Sequence, residues 1–564
     1  MTGDRSGDHA PDGPTTEPAT AACSGTGVDL PAARRCALAL TVMGAVYLMV
    51  FVPGVRWFAG DDWFLLADQP MVGGAAFLKG INGHWILLPR LAFAALWSVS
   101  GLNSYWQFKA LAVAGHCLVV LLLRAVMVRG GIRPWSATAA MVPVLVLGAG
   151  WETILWPIQT AFTWGIALGL GHLLLAEAPG ALRRRDVPAV MVGVLGALCS
   201  GLVLPMTVAV VVAVWLRRGV LPAVVHSIPA LAFAVNLLLR DDSAMTGTMP
   251  SLTSLVTFAV EGLRAAGTAL GHGLLGALVA ILLIGVALLA VSGPWSPPGQ
   301  ADPPRERLVR SAVPLSLLVA SVGFNLLIAP NAPGHDPSVV WSIRYVYVGA
   351  VLAVPTIALG ADQLSRRLPA AAPVAVALAV LSTVGGIAAL RGADPSPMVP
   401  ERDHRILSVA VTSPALDDAP ADADVFFDPF HLGVDAGFVR ILRHQAKLAP
   451  PEGPVSPAEA AAVRLRLGLN VVPSDLVPGG EAPGDSGCEP IELPARLSLA
   501  RGDRLSGVGP LSMAMEVGDV VSDQVPMEWT RSVTITVVAP AMIVDVSGPG
   551  SLCHLDGNHG GPGS

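Results

Sequence analysis

Long apolar runs recur through the first 390 residues and are separated by short polar loops. Each run approaches the ~20 apolar residues that an α-helix needs to cross a bilayer. An alternative for the two runs between 187 and 216 is one broken hairpin around Gly201 and Pro205. The pattern predicts about eleven transmembrane helices, at 37–53, 109–127, 135–150, 160–177, 187–202, 204–216, 220–239, 272–292, 311–329, 345–361 and 373–390.

Two further apolar stretches carry charges and are not counted as spans. The stretch 86–99 contains Pro89 and Arg90, and the stretch 252–270 contains Glu261 and Arg264. Counting the second as a span would move the arginine-rich loop 293–310 to the opposite side of the membrane. Both are predicted to be amphipathic or re-entrant helices on the outer interface.

Arginines fall in alternate loops, as the positive-inside rule expects of cytoplasmic loops. We therefore predict a multi-pass protein of the cell membrane with a cytoplasmic N-terminus and an extracytoplasmic C-terminal region. The arginines in question are Arg124, Arg129 and Arg133; Arg183, Arg184 and Arg185; Arg217 and Arg218; Arg305, Arg307 and Arg310; and Arg366 and Arg367.

Composition divides the chain into three parts. Residues 1–36 are rich in Gly, Pro, Thr and Asp and are predicted to be a disordered cytoplasmic tail. Residues 37–390 form the transmembrane domain, and residues 394–564 form an extracytoplasmic domain with strand-length apolar pieces, predicted to be a small β-sandwich after a helix at 455–467. Charged residues make up only 13% of the chain, against about 25% in a soluble protein. Cys488 and Cys553 are predicted to form a disulfide on the oxidising side.

The first outer loop, 55–108, carries the candidate chemistry. It opens with Asp61 and Asp62, which lie between Trp57 and Trp63 close to the membrane edge. A partly desolvated carboxylate there is a candidate general base toward an acceptor hydroxyl. The alternative is an ordinary solvated pair that precedes a juxtamembrane helix.

Basic side chains on the same predicted face could bind an anion. Arg90 lies in an apolar interfacial helix and Arg344 begins a later span, so each needs an anionic partner. A lipid-linked phosphate and a bulk phospholipid headgroup would both serve. His84 could orient an acceptor or a phosphate, or be an incidental loop histidine.

Another outer turn holds Glu152 between Trp151 and Trp156. Trp63 and Trp85 belong to the many tryptophans of this face. They fit either an aromatic belt at the bilayer edge or stacking against sugar rings.

The order of these features resembles the GT-C superfamily of membrane glycosyltransferases, which includes protein O-mannosyltransferases and the aminoarabinose transferase. The resemblance covers roughly residues 37–390 and rests on Gly60-Asp61-Asp62-Trp63, then His84 and Pro89-Arg90, then the turn Trp151 to Trp156. It implies a loop acid that serves as base or metal ligand, and a sugar donor carried on polyprenyl phosphate. The chain departs from the mannosyltransferases because no His-Pro precedes Glu152 and no acidic-basic pair follows it.

The predicted function is transfer of a sugar from a polyprenyl-phosphate carrier to an extracytoplasmic glycan or protein acceptor at the membrane lipid surface. The alternatives are a transporter or flippase of polyprenyl-linked lipid and a non-catalytic envelope scaffold. The cofactor stays open, with a divalent metal as one candidate, although no metal-ligand motif is present. Nucleic-acid binding is excluded because the C-terminal region is acidic.

Overall fold

Helices make up most of the described residues before 394 in the computed structural model. The structure describes residues 29–52, 56–67, 80, 83–177, 180–239, 250–292, 304–393, 400–426, 434–473, 488–517, 519–539 and 541–555. The helices up to residue 239 are α1 (Pro31–Val50), α2 (Asp62–Leu66), α3 (Leu87–Ser100), α4 (Trp106–Arg129), α5 (Pro134–Leu145), α6 (Trp151–Leu155), α7 (Thr160–Ala176), α8 (Asp186–Ala197), α9 (Val203–Arg218), α10 (Val220–Val225) and α11 (Ile228–Leu238). Those that follow are α12 (Leu252–Gly271), α13 (Leu274–Ser292), α14 (Pro304–Arg310), α15 (Ala312–Ile328), α16 (Ile343–Arg367) and α17 (Ala371–Arg391).

Eight helical segments in the described part of the chain are long and apolar enough to cross a membrane, which makes this a multi-pass membrane protein. The eight become nine if α5 and the segment Gly148–Leu155, which meet at an angle of 55°, count as one broken span. The predicted number of eleven is not confirmed. The difference lies in α8 and α9, whose 12 and 16 residues are short for a span.

The two charged apolar stretches do form helices. The first is α3, and the second is α12, which packs against α13, α15 and α16. Within α12, Glu261 accepts a hydrogen bond from the indole Nε1 of Trp341 at 3.2 Å. Arg264 lies 5.0 Å from the centre of the same indole ring. The middle of α12 therefore lies beside the start of α16, and its interfacial location stays a prediction.

The arginine-rich loops meet at one end of the bundle. Arg133 and Arg366 both pair with the buried Asp362, at 2.6 Å and 2.8 Å. Arg218 pairs with the buried Asp186 at 2.7 Å. Burying a carboxylate is tolerable only with such partners. These contacts place the loops predicted to be cytoplasmic on the same side, and which side faces the cytoplasm stays a prediction.

The described residues 400–426 and 434–448 pack onto the membrane helices. They contain α18 (Pro400–Thr412), α19 (Ala415–Asp418) and α20 (Ala436–His444). Trp63 of α2 lies 6.2 Å and 6.4 Å, between ring centres, from Phe426 and Phe438. The backbone N–H of Leu102 donates to the carbonyl of Lys447 at 2.7 Å. We call these contacts the aromatic brace, meaning Trp63, Phe426, Phe438 and the Leu102–Lys447 hydrogen bond.

The last part of the chain is a sheet preceded by α21 (Pro457–Gly468). Ser456 caps this helix and Glu459 completes the capping box, as the Ser-Pro-Ala-Glu sequence predicts. The strands are β1 (Leu469–Pro473), β2 (Cys488–Ile491), β3 (Ala495–Ala500), β4 (Arg504–Val517), β5 (Val520–Val521), β6 (Val525–Val537), β7 (Ala541–Ser547) and β8 (Ser551–Leu555).

All strand pairs are antiparallel and form one connected sheet in the order β1-β6-β4-β7-β3, with β8 pairing to β4 and β2. The structure therefore has one connected sheet where the sequence predicted a sandwich. The physical reason is the length of β4, whose 14 residues pair with β6 along one edge and with β8 and then β7 along the other. Buried apolar side chains of the sheet, among them Leu505, Met527 and Ile535, form one hydrophobic cluster.

Cys553 is disulfide-bonded. Cys488 lies on the neighbouring strand, where its Cα partner is Leu555, two positions from Cys553. The side chain of Cys488 lies outside the described residues, so its pairing with Cys553 stays a prediction. The domain boundaries at 36, 390 and 394 also stay predictions, and the structure adds that residues within 400–426 and 434–448 share a hydrophobic core with the helices.

Candidate active site

The two adjacent aspartates of the first outer loop have different environments. Asp61 precedes α2 and keeps 26% of its side chain exposed, whereas Asp62 is fully buried. Gly60 allows the tight approach, because its φ is +49° and a Cβ would lie 3.2 Å from the Trp156 ring. The two acids therefore differ in their access to solvent and to a ligand.

Asp62 ties the first loop to the turn that precedes α7. One carboxylate oxygen, Oδ2, accepts from the indole Nε1 of Trp156 at 3.1 Å and from the N–H of Ala59 at 3.4 Å. The other, Oδ1, accepts from the N–H of Ile158 at 3.0 Å. Burial raises the pKa of Asp62 to about 8, although these donors act in the opposite direction. Both oxygens are thus engaged inside the protein.

Asp61 pairs with a residue from the other end of the helical domain. Its Oδ2 lies 3.5 Å from Nη1 of Arg344, at the start of α16. Glu152, in α6, is within electrostatic range of both side chains. Three residues that the sequence separates by almost 300 positions therefore form one charged cluster.

Asp61 and Arg344 of this cluster line a cavity of about 910 Å³ between α7, α9, α11, α15 and α16, and Glu152 is not among the lining residues. Apolar side chains make up most of its wall and include Phe162, Leu204, Phe233, Phe324, Leu327 and Ile328. Polar side chains lie along it as well, namely Asp61, His84, Gln159, Asn331, His335 and Arg344. An amphipathic ligand with an anionic head would match this division.

The cavity and the arginine-rich loops lie at opposite ends of the same helices. In α9, for example, Leu204 lines the cavity and Arg218 reaches Asp186. In α16, Arg344 lines the cavity and Arg366 reaches Asp362. If the arginine loops are cytoplasmic, the cavity belongs to the outer half of the membrane.

His84 lines the cavity in a fixed orientation. Its Nδ1 accepts the N–H of Gly201 at 3.0 Å and lies 3.4 Å from the hydroxyl of Ser200. Its ring packs edge-on against Phe162, with 5.7 Å between ring centres. The break between α8 and α9 supplies the Gly201 N–H, which a continuous helix would have used internally.

Besides Asp62 and Glu152, three other predicted site residues do not line the cavity. Arg90 is 1% exposed and Trp63 is 0% exposed, so both lie inside the protein, Trp63 within the aromatic brace. Trp85 is half-buried and packs against an apolar cluster that includes Phe233. Their proposed contacts with a sugar or a phosphate stay predictions.

Sequence reasoning missed the segment between α15 and α16. Asn331 and His335 come from its short 3₁₀ turns, and Gln159 comes from the turn before α7. The only signal was the composition of Ala329-Pro-Asn-Ala-Pro-Gly-His335, which is typical of turns. Among the described residues, no group of three or more His, Cys, Asp or Glu side chains could hold a metal ion.

Comparison with known proteins gives matches only among solved structures. No family model matches the chain, and no curated protein does. ArnT from Cupriavidus metallidurans bound to undecaprenyl phosphate matches at 13% identity and a TM-score of 0.42, covering 91% of this chain and 99% of that chain. ArnT in the apo state matches at 14% identity and a TM-score of 0.35, covering 82% of this chain and 96% of that chain.

Proposed function

We propose that this protein is a membrane glycosyltransferase that moves a sugar from a polyprenyl-phosphate carrier to the hydroxyl of an extracytoplasmic glycan or protein. The observation that carries the proposal is the cavity itself. It combines a long apolar wall with a carboxylate and a guanidinium 3.5 Å apart at one place. A polyprenyl phosphate has the same division between an aliphatic chain and an anionic head.

Arg344 is the proposed phosphate-binding residue. A guanidinium forms strong, charge-assisted hydrogen bonds to phosphate oxygens. Its contact with Asp61 is long, at 3.5 Å, and 38% of the Arg344 side chain is exposed. An incoming phosphate can therefore compete for Arg344 and leave the Asp61 carboxylate available to the acceptor.

Asp61 is the proposed general base, in preference to Asp62. In the transfer, the acceptor oxygen attacks the anomeric carbon, the bond from that carbon to the phosphate oxygen breaks, and the hydroxyl proton goes to Asp61. The polyprenyl phosphate leaves as the anion held by Arg344. Asp62 supports α2 through its buried hydrogen bonds, and Glu152 is a second acid near the reacting groups.

The experiment compares Asp61→Asn with the exposed control Asp418→Asn in membranes with matched expression. Sugar transfer from a labelled polyprenyl-phosphate sugar pool is the readout. Asp61→Asn should lower transfer by roughly 10²–10⁴-fold, the usual worth of general-base assistance, and keep carrier binding. Arg344→Ala should weaken carrier binding by roughly 10–100-fold.

The outcomes separate the three function classes. Full transfer by Asp61→Asn would remove Asp61 as the base. Carrier binding with movement across the bilayer and no transfer in the wild type would favour a flippase. Absence of both binding and transfer in the wild type would leave a non-catalytic envelope scaffold.

A further inference from the structure

Gln159 is a buried polar side chain in the wall of the cavity. It belongs to the short turn before α7 and lines the cavity that Asp61 and Arg344 also line. Only 4% of Gln159 is exposed, and its side-chain amide makes no hydrogen bond to the described part of the chain. Buried polar groups in folded proteins are nearly always hydrogen-bonded, and one without a partner costs stability. The amide of Gln159 is thus available to a ligand that enters the cavity.

The turn that carries Gln159 is fixed by hydrogen bonds within the protein. The N–H of Gln159 donates to the carbonyl of Trp156 at 3.0 Å. Asp62 accepts from the indole of Trp156 at 3.1 Å and from the N–H of Ile158 at 3.0 Å, so it holds the turn on the side that precedes Gln159. A turn held in this way does not have to be ordered when a ligand binds, and this favours affinity.

A side-chain amide recognises a particular kind of chemical group. Its nitrogen donates two hydrogen bonds and its oxygen accepts two, so one amide can bond to a donor and to an acceptor at the same time. Hydroxyls of a sugar ring both donate and accept, and two neighbouring hydroxyls match the two ends of the amide. A carboxylate would only accept and a guanidinium would only donate. Gln159 therefore fits a pair of uncharged ring hydroxyls better than a charged substituent.

The neighbouring part of the cavity wall also suits a sugar ring. Phe162 follows Gln159 by three positions at the start of α7, a spacing that brings side chains together on a helix, and both residues line the cavity. The apolar face of a sugar ring can pack on an aromatic ring while its hydroxyls bond to polar groups at the edge. Asn331 brings a second side-chain amide to the cavity from the turn after α15. The wall thus offers both kinds of contact that a neutral sugar makes.

We propose that Gln159 is the sugar-recognising residue of the cavity, and that it binds a pair of uncharged ring hydroxyls on the sugar of the carrier. This inference rests on the proposed function, because it takes that sugar to be linked to the phosphate bound by Arg344. The donor sugar is favoured over the acceptor because Gln159 and Arg344 share one cavity with the apolar wall that would hold the carrier. The substrate class is then a polyprenyl phosphate that carries a neutral sugar.

The test variant is Gln159→Met, which keeps the length and the unbranched shape of the side chain and removes both hydrogen-bonding ends. Its control is Gln363→Met, which lies toward the opposite end of α16 from Arg344 and outside the cavity lining. Wild type and both variants are reconstituted as full-length proteins in nanodiscs. The probes are bare polyprenyl phosphate and the same lipid carrying a neutral hexose, with glucose, mannose and galactose used in turn.

We expect the wild type to bind one of the hexose-loaded lipids more tightly than the bare lipid. Gln159→Met should lower the affinity for that loaded lipid by roughly 10–100-fold, because two hydrogen bonds are lost, and should leave the affinity for the bare lipid unchanged. Gln363→Met should change neither affinity. Full affinity of Gln159→Met for the loaded lipid would overturn the inference. An equal loss for both lipids would also overturn it, because it would show that the side chain only supports the cavity.

Altered ligands distinguish a direct contact from an indirect one. The preferred hexose is prepared with one ring hydroxyl removed at a time, and each loaded lipid is measured with the wild type and with Gln159→Met. Removing a hydroxyl that bonds to Gln159 should weaken binding to the wild type and leave binding to Gln159→Met unchanged. Additive losses at every ring position would overturn the direct contact.

The two lipids also separate this inference from the proposed function. If the wild type binds the bare lipid and gains nothing from any of the three hexoses, the proposed carrier stands and the inference alone fails. If the wild type binds neither the bare nor the loaded lipid, the proposed function itself fails, and the sugar contact fails with it.

Discussion

The aromatic brace makes a distant residue important for the site. Phe438 is fully buried and packs on Trp63 and on Trp97, with 6.4 Å and 5.9 Å between ring centres. Trp63 follows Asp61 and Asp62 directly. It lies in α2, the short helix that begins at Asp62. Removing the Phe438 ring should therefore loosen the segment that carries both acids.

The substitution Phe438→Ala should cost about 3–5 kcal/mol of unfolding free energy, the range for a buried phenylalanine that leaves a cavity. We expect a lower midpoint of thermal unfolding in detergent. We also expect weaker polyprenyl-phosphate binding and slower sugar transfer, because Asp61 would no longer be held beside Arg344.

The control is Ile535→Ala in the apolar cluster of the sheet, where Ile535 is equally buried. Its cost, about 2–5 kcal/mol, is comparable, but α2 is untouched. This variant should unfold earlier and still bind the carrier. Normal binding in Phe438→Ala, or an equal loss in both variants at a temperature where both are folded, would refute the role of the brace.

Three further predictions concern protonation, the disulfide and topology. The folded-state pKa of Asp62 lies above its unfolded value, so its contribution to stability is full below about pH 4 and is lost as the pH rises through about 8. Thermal unfolding across this range should depend less on pH in Asp62→Asn than in the wild type, and identical profiles would contradict this. Non-reducing peptide mapping should recover Cys488 joined to Cys553, and loss of the bond should cost about 2–5 kcal/mol. An impermeant thiol reagent should label Asp418→Cys but not Arg184→Cys in intact cells, and the reverse result would invert the predicted orientation.

Apolar run length and local caps predicted much of the helical bundle. The helix predicted at 455–467 corresponds to α21, and the pairing of Asp61 with Arg344 agrees with their predicted placement on one face. For residues 187–216 the sequence left two interpretations open, two spans or one broken hairpin around Gly201 and Pro205, so the number of spans could not be predicted from it. At the break, the N–H of Gly201 donates a hydrogen bond to His84, which lies 117 positions away in sequence.

The environments of individual polar residues could not be predicted from the sequence either. The burial of Arg90 depends on how α3 packs, which the sequence does not show, and its contact with an anion stays a prediction. Asp61 and Asp62 are the same residue type, and the sequence does not distinguish their environments. The environments differ because the indole of Trp156 and the N–H of Ile158 donate hydrogen bonds to Asp62. The sequence did not identify His335 as a cavity residue, because a turn has no periodicity that predicts which side chains share a face.

The aromatic brace also determines how late in synthesis the segment that carries Asp61 and Asp62 can be held in place. Asp61 and Asp62 leave the ribosome early, yet the groups that hold their segment, Phe438 and Lys447, follow Asp61 by 377 and 386 residues. At ~5–20 residues per second, the interval between them is on the order of 20–80 s. Most of the helices can enter the bilayer during that time. A nascent chain therefore reaches the membrane well before it can hold its two aspartates in place.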